Sequence, residues 1–244
     1  MIDAKLIVSA TKAEYTGENI EFTGLTTDSR AVQAGELFVA FSGENFDGHN
    51  YCAKAVELGA TGVLVSKDVE GLPENVAVFK VANTLKAFQE IAREYRRSFE
   101  NLKVFAITGS NGKTSTKDLL AACLGAKYNV VKTQGNFNNE IGLPKTLLNI
   151  TAETDIAVVE MGMRGLGQIA ELCEIAEPDS GLISNVGETH MELLGSMENI
   201  GKAKGEIVET LPANGFAVLN GDEGTGLVES SASGFPPGHP EIVC

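Results

Sequence analysis

Gly109, Gly112, Lys113 and Thr114 stand in the string Gly-Ser-Asn-Gly-Lys-Thr, which has the chemistry to hold a polyphosphate. Glycines let backbone N–H groups curl around phosphate oxygens. A lysine directly after the second glycine brings a point charge to the β- and γ-phosphates, and the hydroxyl that follows is a Mg²⁺ ligand. On this reading Gly109, Ser110, Asn111, Gly112, Lys113, Thr114 and Ser115 form a nucleotide site. The spacing is unusual. The common loop is G-x-x-x-x-G-K-[ST]; here it is G-x-x-G-K-T after Thr108. The shortened form fits ordinary P-loop kinases and GTPases poorly.

Four further groups follow. The run 133–144 carries Asn136, Asn138 and Asn139 in a glycine loop, offering neutral amides to phosphates or to metal-bound water. Turn chemistry alone would also explain them. Glu160 closes the apolar run Ile156–Val159, the place of a Walker-B carboxylate and a natural Mg²⁺ ligand. Asn185 and His190 follow another apolar run, and His190 there is a candidate metal or phosphate ligand. Lys202 and Lys204 open or line a helix, a pattern that a solvated charged face equally produces.

These residues need a scaffold that brings them together. Val104–Thr108 reads as a buried strand, and from Lys113 the pattern is helical, with Thr116, Leu119, Leu120 and Cys123 on one face. Further strands are expected at 129–131, 156–160, 181–184 and 216–219, with helical patterns between most of them. Such alternation predicts an α/β fold with a doubly wound parallel sheet. Ligands then bind beyond the carboxyl ends of the strands, where Thr108, Glu160 and Asn185 can converge. Residues 1–100 read as a small mixed α/β domain, with strands near 36–41, 62–65 and 76–80 and helices near 51–58 and 83–97. The second domain, 101–223, reads as a truncated sheet domain. Residues 224–244, rich in Gly, Ser and Pro, are expected to be a disordered or appended tail.

Bulk properties narrow the class. The net charge of −14 disfavours general nucleic-acid binding. There is no run of 18 apolar residues to span a membrane and no secretory leader pattern. Four cysteines without a CxxC pair point to free thiols and a reducing cytoplasm.

Together the motifs resemble the Mur ligase family of ATP-dependent amide-forming enzymes, over about residues 20–223. The short phosphate loop, Thr27-Asp28-Ser29-Arg30, Asp47-Gly48-His49, Asn136-Phe137-Asn138-Asn139, Glu160-Met161-Gly162 and Asn185…His190 carry the resemblance. It implies ATP and Mg²⁺ as cofactors, with UDP-N-acetylmuramoyl-tripeptide and D-alanyl-D-alanine as substrates. It further implies a cytoplasmic monomer with neither nucleic-acid binding nor membrane insertion. Lys113, His190 and Lys204 would be catalytic, with Lys204 (or else Lys202) carbamylated. Thr114, Glu160 and His190 would hold metal. Ser29, Arg30, His49, Asn136, Asn138, Asn139 and Asn185 would bind substrate. Relatives carry a third domain that this chain is expected to lack, and the resemblance is expected to end near Glu223. The alternatives are a non-catalytic fragment that holds nucleotide or UDP-sugar, a third-residue-adding ligase, or a folylpolyglutamate-type ligase.

Overall fold

The structure, a computed structural model, describes residues 2–221 and 241–243 in two compact units, Met1–Ser98 and Phe99–Cys244. In the first unit β1 (Ile2–Asp3) leads into α1 (Ala4–Thr11), followed by β2 (Glu21–Phe22), β3 (Leu25–Thr26) and β4 (Leu37–Val39). A small hairpin, β5 (Ser42–Gly43) with β6 (Phe46–Asp47), precedes a 3-10 turn, α2 (Cys52–Glu57), β7 (Gly62–Val65), β8 (Ala77–Lys80) and α3 (Thr84–Arg97). Strands β3-β4-β7-β8 form a parallel sheet. Its core includes Phe38, Ala40, Val63 and Val65 packed with Cys52 and Ala55 of α2. Asn83 caps α3 by accepting the Lys86 N–H at 3.0 Å, the role its side chain suits.

The second unit contains β9 (Lys103–Thr108), α4 (Lys113–Gly125), β10 (Val130–Lys132), α5 (Gly142–Leu147), β11 (Ile156–Glu160) and α6 (Gln168–Ala176). Then come β12 (Ser180–Ile183), α7 (Met191–Leu194), α8 (Met197–Glu209), β13 (Phe216–Leu219) and β14 (Glu241–Val243). All six strands are parallel, in the order β10-β11-β9-β12-β13-β14. The chain leaves β9 to build one side of the sheet and crosses back to β12 for the other, so the crevice opens at the end of β9. Phe105 and Ile107 face α4, packing with Leu120, Ala121 and Leu124. On the other face Gly181 has no side chain, and Ile207 of α8 and Leu211 just beyond that helix fill the space.

Two expectations need correction. The helix after the phosphate loop turns Lys117, Leu120, Ala121 and Leu124 inward, while Leu119 and Cys123 are exposed. The apolar count was too sparse to fix the phase, and the strand it packs on decides it. The tail is not featureless throughout: Glu241–Val243 pairs with β13 and extends the sheet. Residues 222–240 of that segment lie outside the described residues. Among the described residues no helix is long and apolar enough to cross a membrane.

Candidate active site

The register pairs Ile107 with Glu160 and Thr108 with Ile183, so the ends of β9, β11 and β12 lie side by side. After Thr108 the chain must turn sharply. Gly109 adopts φ +150°, and a Cβ there would lie 2.0 Å from Ser184 Oγ. Only glycine fits. Gly112, at φ +79°, closes the turn and starts α4.

The N–H groups of Lys113, Thr114 and Ser115 open a 13-residue helix and have no intrahelical acceptor. They meet no other acceptor among the described residues. Among the described residues Lys113 Nζ meets no carboxylate; it donates to the Gly109 carbonyl at 2.8 Å and the Ser110 carbonyl at 3.4 Å. Donors and charge gathered at a helix N-terminus make an anion site.

Glu160 is 2 % exposed. Its carboxylate accepts the Thr114 hydroxyl at 2.9 Å and the Asn138 amide at 2.8 Å. Thr133 Oγ1 accepts the Glu160 N–H at 2.9 Å. No cation pairs with Glu160 among the described residues. A buried carboxylate with only neutral partners is a poor end state and a good cation ligand. No cluster of three or more His, Cys, Asp or Glu able to hold a metal exists among the described residues. The donor set therefore fits Mg²⁺, which keeps waters and substrate oxygens in its shell, better than a metal caged by protein.

Lys204 is the converse, a buried cation without a carboxylate. It is 2 % exposed on α8, and burial, reinforced by nearby Lys113, pushes its pKa down to about 8. Lys202 points to solvent and pairs with Glu198 at 2.7 Å, which removes it as the buried lysine of this helix. The Lys204 shift has a stability consequence. Folded Lys204 releases its proton near pH 8, whereas the unfolded chain holds it to about pH 10.5. The penalty of burying the charge is thus full below pH 8 and relieved as pH rises from 8 to 10.5. Lys204→Met is expected to stabilise the protein by up to about 3 kcal/mol at pH 7. Urea melts at pH 7 and pH 9.5 should show that gain shrinking at the higher pH.

A cavity of about 590 Å³ has Lys113 and Lys204 on its wall. Lys113, Asn136, Asn138, Asn139, His190 and Lys204 line it, with Arg164 and Gln168 from the segment after β11. Asn138 contributes through Glu160, whereas the Asn136 side-chain amide makes no hydrogen bond among the described residues. Asn139 is largely committed: its Oδ1 accepts the Gly142 N–H at 2.9 Å and starts α5. His190 is exposed at the head of α7, with φ 60°.

Asn185 departs from expectation. Its Oδ1 accepts the Asn111 N–H at 2.8 Å, so it braces the phosphate loop and is absent from the cavity wall. The Ser110 hydroxyl is likewise committed to the 187–189 turn, donating to the Gly187 carbonyl at 2.9 Å. Sequence reading missed Glu206, whose carboxylate accepts the Gly167 and Ala170 N–H groups at 2.6 and 3.1 Å and caps α6 from a neighbouring helix. It also missed Gln168, whose Oε1 accepts the Arg164 N–H at 2.6 Å. An acid beside a lysine two residues earlier carries no signal for such a long-range cap.

In the first unit Arg30 is exposed and clasped by Asp28 through two hydrogen bonds, at 2.9 and 2.8 Å. Ser29 lies half-buried on the same loop. His49 lies within a hydrogen-bonded cluster of the first unit. Its Nδ1 is 2.6 Å from Asp47 Oδ1, its Nε2 accepts the Ser66 N–H at 2.9 Å, and the residue is 4 % exposed. The proton therefore sits on Nδ1, and the ring is a strut between the β5–β6 hairpin and the end of β7. Asp47 is held well below the usual carboxylate range by Lys67 and then His49. His49→Ala is expected to cost about 2–4 kcal/mol, from the cavity and the orphaned Ser66 N–H. Chemical denaturation should show the loss.

A parallel sheet with a glycine–lysine loop at its switch point and an acid on the next strand defines a P-loop-type nucleotide-binding domain. The chain belongs to the Mur ligase family: residues 107–233 match the Mur ligase middle domain and residues 21–96 the Mur ligase family catalytic domain. The match runs past Glu223, where the resemblance was expected to stop. The chain is 48% identical over 205 residues to the UDP-N-acetylmuramoyl-tripeptide–D-alanyl-D-alanine ligase of Synechocystis, covering 84% of this chain and 45% of that protein. It is 45% identical to the enzyme of that name from Bacillus subtilis, covering 89% and 47%. Among solved structures it resembles MurF from Acinetobacter baumannii, with TM-score 0.88, 30% identity and coverage of 98% and 52%. It also resembles MurF ligase from Thermotoga maritima in complex with ADP, with TM-score 0.78, 33% identity and coverage of 90% and 49%. The chain spans about half the length of the curated relatives it matches.

Proposed function

We propose that this chain carries the nucleotide and acyl-donor half of a ligase that joins D-alanyl-D-alanine to UDP-N-acetylmuramoyl-tripeptide in the cytoplasm, using ATP. The observation that supports this most is the Lys113 loop on the cavity wall beside a buried Glu160 that has no cation partner among the described residues and reaches that wall through Asn138. In the reaction a peptide carboxylate oxygen attacks the γ-phosphorus and ADP leaves. The amine of D-alanyl-D-alanine then attacks the acyl carbon and phosphate leaves.

Lys113 and the first-turn N–H groups of α4 hold the phosphates and offset their charge. Thr114 and Glu160 would hold one Mg²⁺ and His190 would help hold a second; such ions would neutralise charge on the transferring phosphoryl group. Asn136 offers an amide to the same anions. Lys204, partly neutral near pH 8, has a free amine that can add CO₂, forming an N–C bond and releasing a proton. The resulting carbamate would supply the anion that this buried position lacks. Arg30 and Ser29 lie on the loop assigned to the UDP-sugar.

Phosphate release with ATP, Mg²⁺, UDP-N-acetylmuramoyl-tripeptide and D-alanyl-D-alanine tests the reading. Release that needs both substrates supports it; release without D-alanyl-D-alanine overturns it. A second reading, a binding unit without turnover, is favoured by the chain's coverage of about half of its relatives. It predicts ADP binding with no phosphate release.

A further inference from the structure

Ser110 lies inside the phosphate loop, yet its hydroxyl is spent elsewhere. Oγ donates to the Gly187 carbonyl at 2.9 Å. It accepts the Gly187 N–H at 2.8 Å and the Thr189 hydroxyl at 2.9 Å. One proton and two lone pairs are all a serine hydroxyl has. Nothing is left for a phosphate, and the residue is 9 % exposed.

The turn that takes these bonds ends in His190. His190 takes a left-handed backbone, φ 60°, directly after Thr189. The residues just before it, Gly187 and Thr189, are tied to the phosphate loop through Ser110. Asn185 O accepts the Ser110 N–H at 3.1 Å, and Asn185 Oδ1 accepts the Asn111 N–H at 2.8 Å. Ser184 Oγ donates to the Asn111 carbonyl at 2.6 Å. Of these links, Ser110 Oγ alone reaches Gly187 and Thr189, next to His190. With all three of its bonds made, the buried Ser110 hydroxyl ties the phosphate loop to the 187–189 turn so that the two move together.

We infer that Ser110 is a positioning residue that couples occupancy of the phosphate loop to the placement of the His190 imidazole. The inference rests on the proposed nucleotide role of the loop. Nucleotide phosphates that draw on the 109–115 backbone shift Ser110, and Thr189 and His190 follow. The imidazole and Lys204 share a cavity wall, so the acyl-donor side is shaped only once nucleotide is in place.

The sequence holds three histidines, His49, His190 and His239, so imidazole Hε1–Cε1 NMR signals of the 244-residue chain are few and assignable by His190→Gln. Titration with ADP, alongside calorimetry, tests the coupling. In the wild type the His190 signal should move with the calorimetric Kd. In Ser110→Ala, ADP should bind within about threefold of wild type while the His190 displacement falls below about a third. Ser110→Thr, which keeps the hydroxyl, should restore it. Thr189→Val breaks the same link from the other side and should reproduce the loss, including where Ser110→Ala does not fold. An unchanged displacement in these variants overturns the coupling, because ADP then acts on His190 directly. A loss of ADP affinity above about tenfold in Ser110→Ala, restored by threonine, also overturns it and makes the hydroxyl a phosphate ligand. No ADP binding by the wild type overturns the nucleotide assignment itself, and the coupling with it.

Discussion

Lys113→Ala should weaken binding of ADP with Mg²⁺ by about 100-fold or more, the cost of removing one preorganised cation or donor from a phosphoryl-transfer site. Calorimetry on the 244-residue chain measures it. The side chain donates to the Gly109 and Ser110 carbonyls of its own loop, both in buried residues, so its loss takes a donor from them and should cost about 1–3 kcal/mol of stability. A melting curve recorded beside the titration separates that loss from the effect on binding. A second effect follows from the electrostatics. Lys113 is one of the two influences that depress the Lys204 pKa, the smaller after burial. Removing it should let Lys204 titrate higher and stay charged over more of the neutral range. A variant that binds ADP within threefold of wild type would remove Lys113 from the nucleotide site.

The parts of this site that the sequence made legible are those whose chemistry is local. Gly109 and Gly112 announce a turn because no other residue tolerates their backbone, and Lys113 follows in the position where a phosphate needs it. Glu160 is readable because an acid closing an apolar strand has one place to be in a parallel sheet. Strands 156–160, 62–65 and 216–219 lie where their apolar runs put them. What the sequence does not display depends on partners far along the chain. His49 and Asn185 have the residue types of ligands, but Ser66 and Asn111 claim them, and neither partner is a neighbour in sequence. The two-residue strands β1 and β2 carry no pattern of their own and exist because their ends meet. Strand β14 lies in a segment whose composition suggests a linker, and only its pairing with β13 makes it a strand.

Glu160→Ala is the companion prediction, and its signature differs from that of Lys113. The carboxylate accepts from Thr114 and Asn138, so alanine takes the partner from an exposed hydroxyl and a half-buried amide and leaves a cavity where the buried carboxylate was. That should cost about 1–3 kcal/mol of stability. Glu160→Gln keeps the shape and one acceptor oxygen while removing the charge, and should melt closer to wild type. Both variants should lose the effect of Mg²⁺ on nucleotide affinity, by about tenfold or more, because a divalent ion at this site depends on the one buried anion beside Thr114. ADP binding without Mg²⁺ should change little in glutamine, and the local loss of negative charge should if anything favour the phosphates. Titrating Mg²⁺ against fixed ADP in wild type and both variants decides the matter. If Glu160→Gln keeps the wild-type Mg²⁺ dependence, the buried carboxylate serves only to hold Thr114 and Asn138, and the cation must be bound elsewhere.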